Sequence, residues 1–169
     1  MLSKEEIAFF IMEDASSERK LQAKVGQRYY DAEHDILNYR LFYYDADGEL
    51  QEDKTRSNIK ISHPFFTELV DQQAQYMLNG EAFVKSDIPE LQEELNKVFN
   101  DDFTNELTDT ITSTVTNGFG YMYCYKDSKN NFKFENADAM GVVEIRAKDT
   151  DDNCEYVIYW YIDKNTKAN

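Results

Sequence analysis

Residues 57–80, SNIKISHPFFTELVDQQAQYMLNG, hold an alternating segment followed by a helical one. Ile59 and Ile61 alternate with polar residues, and this period of two predicts a short strand with one face against a core. From Pro64 onward the apolar residues recur at helical spacing, which predicts a helix that ends at Gly80. The residues that we expect on its inward stripe are Phe66, Val70 and Met77.

The residues before this stretch predict two helices. Ser3 and Glu6 have the spacing of a capping box, so we expect a first helix over about residues 4–14. Ser16 or Ser17 can cap a second helix that continues to about residue 33. Its apolar residues at helical spacing are Leu21, Val25, Tyr29 and Ala32.

The remaining segments add a hairpin, two more helices and four strands. The sequence DADG at 45–48 predicts a hairpin turn between two short strands. Helices are expected from residue 86 or 87 to about 99 and from residue 101 or 102 to 116, and the second of these ends at Asn117-Gly118. The strands predicted for the C-terminal part form an antiparallel meander and lie at residues 121–126, 132–135, 142–147 and 156–162. The predicted fold class is therefore α+β, with N-terminal helices, central helices with a short hairpin, and a C-terminal antiparallel β-meander.

Three segments, in this order and at this spacing, resemble tailed-phage portal proteins of the siphovirus type. The first, RYYDAEHDI at residues 28–36, is similar to the family's "YYxGxHDI" and has Ala32 where a glycine is common. The second is the stretch at residues 57–80, which resembles an extended arm that enters a helix ending "VDQ…YLLG". The third, NGFGYMY at residues 117–123, is similar to the family's "GxGY".

The resemblance implies a structural role and not an enzymatic one. Family members form the head-to-tail connector, a ring through which DNA is packaged and ejected. The partners that it implies are neighbouring portal subunits, the capsid, the terminase and head-tail adaptor proteins, and the implied location is the virion, with the host cytoplasm during assembly.

The resemblance also implies a division of the chain. We expect an N-terminal helical arm over residues 1–36 and an α+β, wing-like domain over residues 37–169. Because the final strand is followed by turn residues without a partner strand, we expect that domain to be truncated and the DNA channel to lie outside this chain.

The charge of the chain argues against direct contact with DNA. Lys and Arg number 18 against 33 Asp and Glu, which gives a formal net charge of −15. Nucleic-acid affinity comes largely from basic side chains that neutralise phosphates, so we expect no DNA binding by this chain. An acidic inhibitor, or a DNA mimic whose carboxylates imitate phosphates, is the alternative function.

The candidate chemical sites are weak. If Gly48 is aligned with the invariant glycine of a calcium loop, Tyr43 and Lys54 fall at ligand positions, so that motif fails. The acids Asp149, Asp151 and Asp152 are more typical of a solvated loop than of a cation site. His34, His63 and Cys124 lack the spacing of a zinc site, although a Cys–His nucleophilic pair formed in space stays open. We predict no catalytic residue, no metal and no cofactor.

Two other features concern the environment of the chain. Cys124 and Cys154 lie in apolar, strand-like runs, and we expect buried, free thiols. The sequence has no apolar run near the length of a membrane span, so no membrane partner is predicted.

Overall fold

The computed structural model describes residues 2–78, 84–146 and 154–162. Five helices lie in this part of the chain: α1 (Lys4–Ala15), α2 (Glu18–Tyr30), α3 (Phe65–Leu78), α4 (Pro89–Val98) and α5 (Asp101–Asn117). Six strands accompany them: β1 (Phe42–Tyr44), β2 (Leu50–Glu52), β3 (Tyr121–Lys126), β4 (Phe132–Ala137), β5 (Val142–Arg146) and β6 (Cys154–Tyr159). The α+β class is confirmed.

The helix ends follow the predicted chemistry with two differences. The Ser3 and Glu6 capping box is formed at the start of α1, and Ser17 caps α2. α5 begins at Asp101, as predicted, and the Asn100 side chain caps it by accepting a hydrogen bond from the Phe103 amide at 3.2 Å. α4 begins at Pro89 and not at residue 86 or 87. α2 ends at Tyr30 and not near residue 33, because Ala32 has φ 58° and cannot continue a right-handed helix.

The strands form three antiparallel hairpins within the described residues. β1 pairs with β2 across the DADG turn, in which Gly48 has φ 80°. β3 pairs with β4, and β5 pairs with β6. The C-terminal strands are antiparallel, as expected, but they lie in two separate two-stranded sheets and not in one continuous meander.

α5 is the central helix of the fold. It packs against α2 and α3 on one side and against β3 and β4 on the other. The threonines of α5 bond back to carbonyls four residues earlier, as Thr108 does to Thr104 at 2.7 Å. A helix so rich in threonine is not stable in isolation, so α5 depends on its packing against these four elements. α1 contacts β5, and the predicted domain boundary at residue 36 stays a prediction.

The stretch at residues 57–80 is partly as predicted. α3 forms, with Val70 and Ala74 buried and Phe66 half-buried, but Met77 is exposed and does not belong to the inward stripe. Gly80 lies outside the described residues. The strand predicted around Ile59 and Ile61 does not form; these side chains are 84% and 78% exposed, because no described strand pairs with the segment.

The buried face of α2 is also not the predicted one. Leu21 and Val25 are about half exposed, at 51% and 48%, whereas Lys20 and Ala23 are buried. Gly26 lies on this buried face, and a Cβ on it would meet the Thr116 carbonyl oxygen at 2.1 Å. Small residues, and not large apolar ones, therefore let the backbones of α2 and α5 approach each other.

Candidate functional site

The first two sequence motifs meet at one place in the fold, which we name the motif junction. It consists of Tyr29, Tyr30, Ala32, His34 and Asp35 from the first motif and Ser62, Thr67 and Asp71 from the second. The end of α2 supplies the two tyrosines, and the segment after α2 supplies the other residues of the first motif. Ser62 lies in the segment that enters α3, and Thr67 and Asp71 lie in α3 itself.

Asp35 organises the first motif. Its carboxylate accepts hydrogen bonds from Arg28 Nη2 at 2.6 Å and from Tyr29 Oη at 2.9 Å. The bond to Asp35 raises the pKa of Tyr29. The chain reverses between these partners through Ala32, which has φ 58°. Ala32 therefore has the left-handed conformation that glycine adopts most readily.

His34 and Ser62 join the two motifs. Ser62 Oγ lies 3.2 Å from His34 Nδ1 and donates its proton to the carbonyl of Ala32. The Ser62 side chain thus contacts a backbone carbonyl of the first motif and the imidazole that follows it. The imidazole also packs on the Tyr29 ring, with centroids 4.9 Å apart. Its Nε2 is buried without a hydrogen-bond partner in the described part of the chain.

Tyr30 connects the end of α2 to α3. Its hydroxyl donates to Asp71 Oδ1 at 2.9 Å, and its backbone carbonyl accepts a hydrogen bond from Thr67 Oγ1. Burial, followed by the hydrogen bond to Asp71, raises the pKa of Tyr30. Two turns of α3 are therefore fixed against the last turn of α2.

The third motif packs on the opposite end of α2. Gly118 ends α5 with φ 80°, and the Phe119 side chain that follows is buried. The Arg19 guanidinium lies 3.9 Å from the centroid of the Phe119 ring and donates to Tyr121 Oη at 3.2 Å. A Cβ on Gly120 would lie 2.8 Å from the Thr110 carbonyl oxygen, so close packing on the backbone of α5 favours glycine at this position.

Lys20 is a buried cation that the sequence reasoning missed. It is 2% exposed, and its ammonium donates to the carbonyls of Ala139 and Val142, the latter at 2.8 Å. Asp14 Oδ2 lies 3.3 Å away and balances the charge. Lys20, Ala23 and Gly26 are spaced by three residues, and this spacing could have indicated that they share the buried face of α2. The pattern was not used because a lysine is seldom found on a buried face.

Tyr121 and Glu144 complete this second cluster. Burial, followed by the hydrogen bond to Glu144, raises the pKa of Tyr121 to about 12. The pKa of Glu144 is lowered, mainly by Arg146, whose Nη2 lies 2.7 Å from the carboxylate. The third motif is thereby linked to α2 and to β5.

The other candidates from the sequence have ordinary structural positions. The Asp45 carboxylate accepts from the amides of Asp47 and Glu49, at 3.1 and 2.9 Å, and so stabilises the hairpin turn. Cys124 and Cys154 are free but exposed, so the expectation that they are buried is wrong; both lie on outer strands of small sheets. Asp149, Asp151 and Asp152 lie outside the described residues.

The polar groups of the motif junction bond across elements and not toward an open cleft. His34 contacts Ser62 and Tyr29, whereas His63 packs beside the Phe65 ring, with centroids 6.4 Å apart. In residues 2–78, 84–146 and 154–162, no group of three His, Cys, Asp or Glu side chains could hold a metal ion. The same residues contain no helix long and apolar enough to cross a membrane. What the arrangement does is fix α2 against α3, α5 and β5.

Comparison of the sequence with known proteins identifies a family. The profile of the family described as "Phage portal protein, SPP1 Gp6-like" matches residues 11–169. The portal protein of Bacillus phage SPP1 is 29% identical over 109 residues, a match that covers 64% of this chain and 22% of that protein. The matched segment is therefore less than a quarter of the relative's length. The family match includes all three motifs, and the chain belongs to the SPP1 Gp6-like family of phage portal proteins.

Proposed function

We propose that this chain forms the wing-like part of a portal subunit, in the ring through which phage DNA is packaged and ejected. The observation that carries the proposal is the family match over residues 11–169. It is supported by the hydrogen bonds that join the motifs, because these residues build a scaffold around α2.

A structural and non-enzymatic role accounts best for the polar groups of the motif junction. Asp35 and Asp71 accept hydrogen bonds from tyrosine hydroxyls, and the Ser62 hydroxyl donates to a backbone carbonyl. A nucleophile with a general base would instead direct its reactive atom to a place that substrate can reach. We infer that neighbouring subunits, the capsid, the terminase and adaptor proteins are the partners of the complete protein. Its place is then the virion, after assembly in the host cytoplasm.

The acidic charge suits a peripheral position in such a ring. A net charge of −15 repels the phosphates of DNA, so we infer that other parts of the subunit face the channel. The same charge is the one observation that favours an acidic inhibitor or DNA mimic as a second candidate.

The two candidates differ in assembly and location, which gives the test. The complete gene product is purified, its mass is measured by light scattering, and its particles are imaged by electron microscopy. In parallel, an antibody against this chain is used on purified virions. We expect rings and a signal from virions. A monomeric product that is absent from virions and binds a nucleic-acid-binding protein would replace the portal role with the inhibitor.

A further inference from the structure

Residues 36–61, which we name the lobe, contain the β1–β2 hairpin and lie between the first two sequence motifs. No residue of the lobe is buried. Nine of its ten large apolar side chains are exposed, from Leu37 at 40% to Ile59 at 84%. Among the described elements, β1 and β2 pack on each other and on no other helix or strand to a comparable extent. The lobe therefore has few tertiary contacts with the rest of the chain.

The lobe is held together by its own hydrogen bonds. The Asp53 amide donates to the Leu41 carbonyl at 2.8 Å, next to the paired strands. The Asn58 side chain donates to the Tyr39 carbonyl at 3.1 Å and so joins the segment after the hairpin to the segment before it. The hairpin and the two segments that lead to and from it thus form one unit.

The polar contacts between this unit and the helices lie where the chain enters and leaves it. Within the described residues, no side chain or backbone group of the lobe forms a hydrogen bond, ion pair or ring contact with any of the five helices. The residues that flank the lobe directly, Asp35 and Ser62, form such contacts instead. These contacts, which we name the latch, join Asp35 to Arg28 and Tyr29, and Ser62 to Ala32 and His34.

This arrangement has the features of a hinge. Because Ser62 lies against Ala32 and His34, the two crossings of the chain into the lobe are at one place. A unit that is joined at one place and has few buried contacts can turn there as a whole. The Arg28 and Asp35 side chains are 39% and 67% exposed, and exposed ion pairs contribute little to stability. The latch therefore holds one orientation only weakly.

We propose that the lobe turns as a rigid unit about its two crossings and that the latch sets the orientation seen in the structure. The turn changes the direction in which the exposed apolar side chains of the lobe point, relative to α2 and α3. The hairpin keeps its own hydrogen bonds throughout, and the helices keep their packing. The hinge is a property of this chain and does not depend on the proposed function.

Distances between two spin labels, measured by pulsed electron paramagnetic resonance, test the hinge. The labels are attached to cysteines introduced into a chain with Cys124→Ser and Cys154→Ser, which removes the two free thiols. One pair joins the lobe to the body of the chain, with Asp47→Cys at the hairpin tip and Gln72→Cys on α3. A second pair lies in the body alone, with Gln22→Cys on α2 and Gln72→Cys. All three labelled positions are exposed.

The latch is removed by Asp35→Ala with Ser62→Ala. The matched control, Asp31→Ala with Ser57→Ala, removes the same two kinds of side chain at exposed positions outside the latch. Each single variant of the latch is measured as well, so that the test stands if the double variant does not fold. Hydrogen exchange of the Asp45 and Asp53 amides, which donate within the lobe, reports whether the hairpin stays formed.

We expect the distribution of distances between lobe and body to be at least about twofold wider in the double variant and of intermediate width in the single variants. The control variant should leave it unchanged, and the body pair and the amide exchange should be the same in all proteins. An unchanged width between lobe and body would overturn the proposal. So would a wider distribution accompanied by faster exchange of the lobe amides, which indicates local unfolding, or by an equal widening of the body pair.

Discussion

The Ser62 hydroxyl donates a hydrogen bond to the backbone carbonyl of Ala32 and so joins two motifs that lie 30 residues apart in the chain. Ala32 has φ 58°, and this left-handed turn directs its carbonyl toward the segment that enters α3. The bond therefore depends on a backbone conformation that most residues avoid. A glycine would adopt this conformation without strain.

Replacement of Ala32 tests the importance of this turn. Ala32→Gly removes the cost of a Cβ at positive φ, about 1 kcal/mol, but gives the unfolded chain about 0.4–1 kcal/mol more entropy. We therefore expect a free energy of unfolding that is unchanged or higher by up to about 0.6 kcal/mol. Ala32→Val should lower it by more than about 1 kcal/mol, since a β-branched residue is poorly tolerated there. Urea unfolding measures both changes.

Ala8→Gly is the matched control for this pair. Ala8 is exposed in the middle of α1, where glycine costs about 1 kcal/mol relative to alanine. Alanine to glycine should therefore lower the free energy of unfolding at position 8 but not at position 32. Equal losses at the two positions would show that the turn at Ala32 is not left-handed in solution.

Val70 is the buried centre of α3 and gives a second prediction. It is 2% exposed, so Val70→Asp would place a charge without a partner in the core. We expect a loss of about 3 kcal/mol or more, a large part of the stability of a domain. Gln72→Ala, on the exposed side of the same helix, should change the free energy by less than about 0.5 kcal/mol. Similar melting temperatures for both variants would contradict the docking of α3.

The sequence predicted local features, such as helix caps and turns, more accurately than it predicted which face of a helix is buried. The capping box at Ser3, the turn at Gly48 and the end of α5 at Gly118 depend on neighbouring residues, and all three are confirmed. By contrast, which face of α2 is buried, and whether residues 57–62 pair as a strand, depend on elements that are distant in the sequence. Apolar spacing suggested Leu21 and Val25, but close approach to α5 favours the face with Ala23 and Gly26.

The candidate site shows the same limit. The resemblance identified the three motifs, and local patterns could not show which groups would bond across them. Asp35 and Tyr29 are close in sequence, yet Tyr30 and Asp71 are paired only because α2 and α3 lie side by side. Lys20 was missed because its partners, two backbone carbonyls and Asp14, carry no signal in a sequence pattern.

Gly26 allows a third prediction, in which packing opposes helix propensity. In an exposed helix, Gly→Ala stabilises by about 1 kcal/mol. At position 26 the added methyl would meet the Thr116 carbonyl oxygen at 2.1 Å, so we expect Gly26→Ala to destabilise by at least about 1 kcal/mol. Lys24→Ala, exposed on the same helix, serves as the control in urea unfolding. A stabilised Gly26→Ala variant would show that α2 and α5 are further apart than described.

Lys20 gives a fourth prediction. Lys20→Met keeps most of the side-chain volume but leaves the Ala139 and Val142 carbonyls unpaired, along with the Asp14 carboxylate. We expect a loss of about 2–4 kcal/mol in the free energy of unfolding. Lys24→Met is exposed and should change little. Hydrogen exchange of the backbone amides in residues 139–146 should be faster in Lys20→Met and unchanged in Lys24→Met. An unchanged urea midpoint for Lys20→Met would contradict the prediction.

The fifth prediction uses two tyrosines whose pKa values are raised to about 12 for different reasons. Burial is the main cause for Tyr121, whereas a hydrogen bond to Glu135, with Oη and Oε2 2.6 Å apart, is the main cause for Tyr123. Glu135→Gln should therefore return the pKa of Tyr123 most of the way toward 10. Glu144→Gln should lower the pKa of Tyr121 only in part. Ring-carbon NMR titrations of the two residues measure both shifts.

The raised pKa of Tyr121 also links stability to pH. The folded chain keeps the phenolic proton up to about pH 12, while the unfolded chain releases it near pH 10, so the folded state binds more protons in between. The stability that Tyr121 contributes is thus complete below pH 10 and is lost as the pH rises toward 12. Tyr121→Phe has no such proton, so its urea midpoint should fall less between pH 9 and pH 11 than that of the unsubstituted chain. Equal falls in the two proteins would mean that Tyr121 ionises as readily in the folded state as in the unfolded one, and that its ring is not buried against Arg19 and Glu144.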